Sequence, residues 1–167
     1  MVAVVPQEIV VEPDAFRVAR EAVLMVAHLR ASLAINLYDD SQGVSGLLHL
    51  RYVATLNGQP LELTDNTLSS SVLLIDRFCK EMKKAGSRSQ WWRVRILAHS
   101  AAPETDKAAA TVLDLVRAYF VDSTKPVHCQ EFKRVPGVTV RTHARDGQIW
   151  TCGLVEDTLP VLRTRAG

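Results

Sequence analysis

Apolar residues come in short runs separated by polar turns, and their period changes along the chain. The most regular unit is residues 31–49. Residues 33–38 are apolar apart from Asn36, Asp39 to Gly43 form a polar turn, and a second apolar run, 44–53, carries His49 and Arg51 inside it. Two apolar runs joined by a short polar loop ending in Gly predict a β-hairpin. That hairpin brings the residues opening its first strand, near Leu33, towards the part of its second strand that holds His49.

Upstream, residues 2–11 are β-branched and predict a strand, with Pro6 pushing it to an edge or a bulge. From Asp14 two readings stand. Phe16, Ala19, Ala22, Val23, Val26 and Leu29 fall near helical spacing with Asp14 as a cap, while Val23, Met25 and Ala27 alternate as in a strand. Downstream, residues 54–66 are polar and irregular, with Asn57-Gly58 a turn signal and Pro60 close behind. Asp65 or Asn66 caps a helix over 67–85, where Leu68, Val72, Ile75, Cys79 and Met82 form one stripe, Leu74 and Phe78 lie beside it, and Gly86 is the stop. Residues 90–99 read as a strand by residue type. Pro103-Glu104 opens a second helix to Tyr119, with Ala108, Val112, Leu115, Val116 and Tyr119 as its apolar stripe. Three strands are predicted at 127–132, 138–143 and 148–154, with Asp146-Gly147 a hairpin turn between the last two. The tail 156–167 is expected to be loose apart from 159–162. Strands, then helices among strands, then strands predict an α+β class rather than a βαβ repeat.

Composition narrows the function classes. The chain has 167 residues, 47% of them hydrophobic, which fits a single domain over 1–167 with a real core. The net charge is only +2 and no basic block stands out, so no nucleic-acid partner is expected. Charges interrupt every apolar stretch, so no membrane insertion is expected. The start, Met-Val-Ala-Val-Val-Pro, lacks the basic opening of a signal peptide, and a cytoplasmic location is the expectation. The three cysteines, Cys79, Cys129 and Cys152, are too few and too odd in number for a disulfide framework. The five histidines (His28, His49, His99, His128, His143) are scattered. His128 and Cys129 are adjacent, and strand neighbours point to opposite faces, so no metal site is predicted. No cofactor motif is present.

The hairpin also carries a family resemblance. Ser32, the strand ending Leu37-Tyr38-Asp39, and Gly46-Leu47-Leu48-His49 resemble the signature of the chemoreceptor glutamine deamidases, the CheD family of bacterial chemotaxis. In that family a turn into Gly-Ser-Cys precedes a strand ending Leu-Tyr-Asp, and the next strand carries Gly-Met-x-His. The Cys is the nucleophile and the His its base. Matched residue by residue, the Cys position is Leu33, the His position His49, the Gly before the Ser is Ala31, and a nearby Thr falls at about Ala27. The resemblance implies a strand over 23–29, a layered β sandwich covered by two helices, and protein partners: chemoreceptor cytoplasmic helices or a CheC-like phosphatase.

Elsewhere the resemblance thins. The family's Phe-Gly-Gly-Ala meets Leu97-Ala98-His99-Ser100-Ala101 here, its Ile-Gly-x-Arg-Asn meets Glu104 to Ala108, and of its later cleft residues only Arg141 has a counterpart. A leucine cannot be a nucleophile. With Leu33 at that position the reading is a non-catalytic CheD-like binding or regulatory protein related to signal transduction, whose degenerate site positions are Ser32, Leu33 and His49. The alternative is a protein-glutamine amidohydrolase (deamidase) using Ser32 or a displaced cysteine. Against Ser32 stands its expected direction, away from the side chain at 33. The remaining candidates have structural explanations: Cys79 as a core residue, His49 as a strand histidine satisfied locally, and Trp91-Trp92-Arg93-Val94-Arg95 as a strand with one Trp in and one out rather than a nucleic-acid platform.

Overall fold

The computed structural model describes residues 6–52, 55–56, 59–60, 65–154 and 160–166. Among the described residues, twelve strands and two α-helices build an α+β sandwich. One sheet has the order β1(Gln7–Val10), β3(Val23–Leu29), β10(Gly137–His143), β11(Ile149–Leu154), β12(Pro160–Ala166). The second has β2(Ala15–Ala19), β5(Val44–Arg51), β4(Ser32–Asp39), β8(Trp92–Ser100), β9(Val127–Lys133). A two-stranded piece, β6(Thr55–Leu56) and β7(Gln59–Pro60), lies in the irregular stretch; the expected Asn57-Gly58 turn falls outside the described residues. The helices α1(Asp65–Lys84) and α2(Pro103–Tyr119) cover the outer face of the second sheet.

The period of two divides β4, β5 and β8 cleanly. Leu33, Ile35 and Leu37 on β4, Val44, Leu48 and Leu50 on β5, and Val94, Ile96 and Ala98 on β8 face the helices, where Ile75, Phe78, Met82, Val112 and Val116 meet them. Ala34, Leu47 and Leu97 face the other sheet and pack with Met25, Ala27, Leu29, Val138, Val140 and Ile149. Both faces of β4 are buried, which explains its near-continuous apolar run. Gly46 lets α1 lie close on β5: a Cβ there would stand 2.5 Å from Phe78 Cε1 and 2.8 Å from Met82 Sδ.

The two readings of residues 14–29 resolve as two strands, β2 and β3. The tail expected to be loose contains β12, paired antiparallel with β11. By pairing there, β12 satisfies the row of backbone donors and acceptors that β11 would otherwise leave open on the side away from β10. The strand expected over 2–11 is observed from Gln7 and lies at the edge of its sheet; residues 1–5 are outside the described part. The expected hairpin of β4 and β5 is present in full register, from Ser32 opposite Arg51 to Asp39 opposite Val44.

Candidate functional site

The register of that hairpin decides which side chain meets His49. Ala34 stands directly opposite His49. Ser32, two residues earlier on the same face, is therefore its diagonal neighbour. Leu33 lies on the other face, fully buried among residues of the helix-covered core. The matching that puts position 33 before His49 is corrected here: with a period of two, 32 and not 33 shares the histidine's side of the sheet. Ser32 does point away from the side chain at 33, as expected, and that direction leads to the imidazole.

The hydrogen bonds fix every proton in the pair. Ser32 Oγ is 2.8 Å from His49 Nε2. His49 Nδ1 is 3.2 Å from the Val11 carbonyl oxygen, which can only accept, so Nδ1 carries the proton. Nε2 is then bare and the Ser32 hydroxyl donates to it. The Arg30 N–H donates to the same Oγ at 3.2 Å. Burial lowers the His49 pKa below the usual histidine value, against the opposing pull of the Val11 carbonyl and the Asp14 charge, so the ring is neutral at pH 7.

A second layer holds Ser32 through its backbone. The Tyr52 hydroxyl donates to the Ser32 carbonyl at 2.9 Å and accepts from the His99 N–H at 3.0 Å. His99 Nε2 lies 2.6 Å from the Val135 carbonyl and so bears the proton, which leaves Nδ1 to accept the Ala31 N–H at 3.0 Å. Burial lowers the His99 pKa too and raises that of Tyr52. Ala31 has φ +49°, in the left-handed region that residues other than glycine seldom occupy. The His99 bond to its N–H helps to hold this sharp turn, which aims Ser32 at His49.

A hydroxyl donating to a bare imidazole nitrogen, with the other ring N–H fixed by an acceptor, is the arrangement of an activated nucleophile. The orienting group here is a neutral carbonyl. It sets the tautomer but adds no charge to stabilise an imidazolium. Ser32 and His49 are 1% and 2% exposed, so the pair is closed to a substrate carbonyl in this conformation.

The other sequence candidates lie apart from this pair. Cys79 is a buried residue of α1, where burial pushes its thiol up to about 11. Arg141 pairs with Glu8 at 2.9 Å on the outer face of the first sheet. Trp92 is buried and Trp91 half-exposed, with Lys125 Nζ 5.9 Å from its ring, and Arg93 pairs with Asp40 at 3.1 Å. Among the described residues no group of three His, Cys, Asp or Glu could hold a metal ion, and no helix is long and apolar enough to cross a membrane. Sequence reasoning missed Val11, His99 and Tyr52. Val11 contributes a backbone carbonyl, which leaves no mark in a sequence. His99 could have been found, because alternation along 90–99 puts it on the same face as Arg95 and Leu97.

No family model and no curated protein matches the chain. Among solved structures, the hypothetical protein YfiH of Bacillus licheniformis is similar at a TM-score of 0.44 and 10% identity over 69% of this chain. The chain spans about half (49%) of that protein's length.

Proposed function

We propose that this chain is a CheD-like amidohydrolase that uses Ser32 as nucleophile and His49 as base on a protein glutamine side chain. The observation that carries the proposal is the 2.8 Å bond from the Ser32 hydroxyl to an imidazole nitrogen bared by the Val11 carbonyl. As Oγ attacks the amide carbon, its proton passes to Nε2. His49 then returns that proton to the departing nitrogen and ammonia leaves. Water, deprotonated by the same ring, releases glutamate from the acyl-serine. The substrate class comes from the resemblance to the chemoreceptor glutamine deamidases and belongs to the proposal.

A second reading is favoured by the near-complete burial of the pair. In it the Ser32–His49 bond is a satisfied internal contact, and the domain binds chemoreceptor helices or a CheC-like phosphatase without chemistry. One experiment separates the two. A chemoreceptor signalling domain is incubated with the natural protein and with its Ser32→Ala, Ser32→Cys and Leu33→Cys variants, and glutamine-to-glutamate conversion is read by mass spectrometry. Conversion by the natural protein that disappears in Ser32→Ala is expected. Leu33→Cys puts a thiol in the helix-side core and is expected to gain nothing beyond the natural level. No conversion by the natural protein, with or without activity in Ser32→Cys, removes the enzyme reading in favour of the binding one.

A further inference from the structure

The sandwich holds a second polar centre, remote along β4 and β8 from Ser32. Arg95 on β8 faces the space between the sheets, opposite Asn36. Its Nε and Nη2 donate to Asn36 Oδ1 at 3.1 and 2.8 Å, and Nη2 also donates to the Gly147 carbonyl in the turn between β10 and β11. Every one of these acceptors is neutral, and among the described residues Arg95 makes no ion pair. A guanidinium keeps its charge at any physiological pH, so a largely desolvated one without a carboxylate is an unmet demand for an anion.

A cavity of about 290 Å³ opens on this guanidinium, lined also by Leu97, His128, Gln130 and Ile149. Its polar wall follows from the parallel register of β9 on β8, which sets His128 beside Arg95 and Gln130 beside Leu97. Both side chains are exposed and carry donors. Leu97 and Ile149 supply an apolar floor from the core between the sheets. Thr142, paired with Ile149 across β10 and β11, has a buried hydroxyl with no hydrogen-bond partner among the described residues, a second unmet polar group on this side of the interior.

We infer that this cavity binds a small organic carboxylate: the carboxylate on Arg95, with His128 and Gln130 as further donors, and a short apolar body on Leu97 and Ile149. The volume sits at the low end for ligand pockets, which limits the guest to a short-chain acid. The site does not depend on the Ser32–His49 chemistry and stands or falls separately.

The test titrates the natural protein with sodium butyrate at constant ionic strength and follows backbone amides and the Arg95 Nε–H by ¹H–¹⁵N NMR. Saturable shifts confined to residues 95–97, 128–130 and 149 are expected. Butyramide, which has the apolar body without the charge, and inorganic phosphate, which has the charge without the apolar body, are both expected to leave these signals unmoved. Arg95→Gln removes the charge but also the bond to the Gly147 turn. Gln130→Glu on the exposed edge is therefore the safer variant, and it is expected to weaken butyrate by about tenfold or more, the value of one charge-assisted hydrogen bond and its reversal. Phosphate binding as well as butyrate, scattered or non-saturating shifts, or unchanged affinity in Gln130→Glu would each overturn the assignment.

Discussion

Ser32→Ala tests the bond on which the site rests. The substitution removes one oxygen and leaves two groups without their partner, His49 Nε2 and the Arg30 N–H. They do not cost the same. The Arg30 amide bond is only part-buried on an exposed residue, whereas His49 is 2% exposed and its bare nitrogen is buried. One buried unmet acceptor costs about 1–3 kcal/mol, and the void left by a single oxygen adds little. For a domain of this size that is a fall in Tm of roughly 3–9 °C. Urea unfolding at about pH 7.5, above the imidazole range, reads the loss directly. The sharper reading comes from pairing it with His49→Phe. Alone, that change strands the Ser32 hydroxyl and the Val11 carbonyl; together, the two changes remove both halves of the Ser32–His49 bond. The double variant should be less destabilised than the sum of the singles by about 1–2 kcal/mol. Additive losses, or a Ser32→Ala cost below about 0.5 kcal/mol, would mean that the bond is not formed in solution and that the geometry argument fails.

Other consequences follow from the same geometry. His49 and His99 both have pKa values lowered by burial, so the unfolded chain takes up more protons than the folded one just below pH 6.5. Stability should be flat above about pH 7 and fall as pH drops through about 6.5, because protonation puts a hydrogen on Nε2 of His49 and on Nδ1 of His99, each of which accepts a bond. A Tm that rises on acidification over that range contradicts the tautomers assigned here. Gly46→Ala drives a methyl into Phe78 and Met82, both fully buried, and should cost about 1–3 kcal/mol in chemical unfolding; a neutral result would mean α1 does not pack this closely on β5. The Cys79 thiol, pushed up to about 11 by burial, should react slowly with iodoacetamide near neutral pH, as followed by peptide mass spectrometry.

Much of the architecture was legible because few forces had to be weighed. The β4–β5 hairpin, α1 and the hairpin at Asp146-Gly147 each combine an apolar period with a glycine stop, since Gly43, Gly86 and Gly147 all take positive φ where the chain turns or ends, and α2 is marked by Pro103 in its first turn. Residues 14–29 were ambiguous for a physical reason. Their alanines, Ala15, Ala19 and Ala27, suit either period, and what decides is pairing with distant partners: β2 on β5, and β3 on β1 and β10. No local window contains that information.

The site was half legible, and the error in it is instructive. His49 and Ser32 are both singled out by the sequence, yet the expectation that the hairpin brings position 33 to the histidine overlooks the face that Leu33 takes. A one-residue shift in a strand carries a side chain through the sheet to the opposite face. Leu33 lies beside Leu50 and Ala98 in the helix-covered core, the ordinary fate of a leucine on that side of the sheet. The alternation itself held the answer. Leu33, Ile35 and Leu37 are one apolar set, so Ser32, Ala34 and Asn36 are the other, and the only hydroxyl able to reach an imidazole on the far strand belongs to that second set. The directions of these bonds, however, could come only from the structure. Val11 is a backbone acceptor brought from the segment that follows β1, and it is this carbonyl, invisible in any motif, that fixes the His49 tautomer and leaves Nε2 free to accept from Ser32.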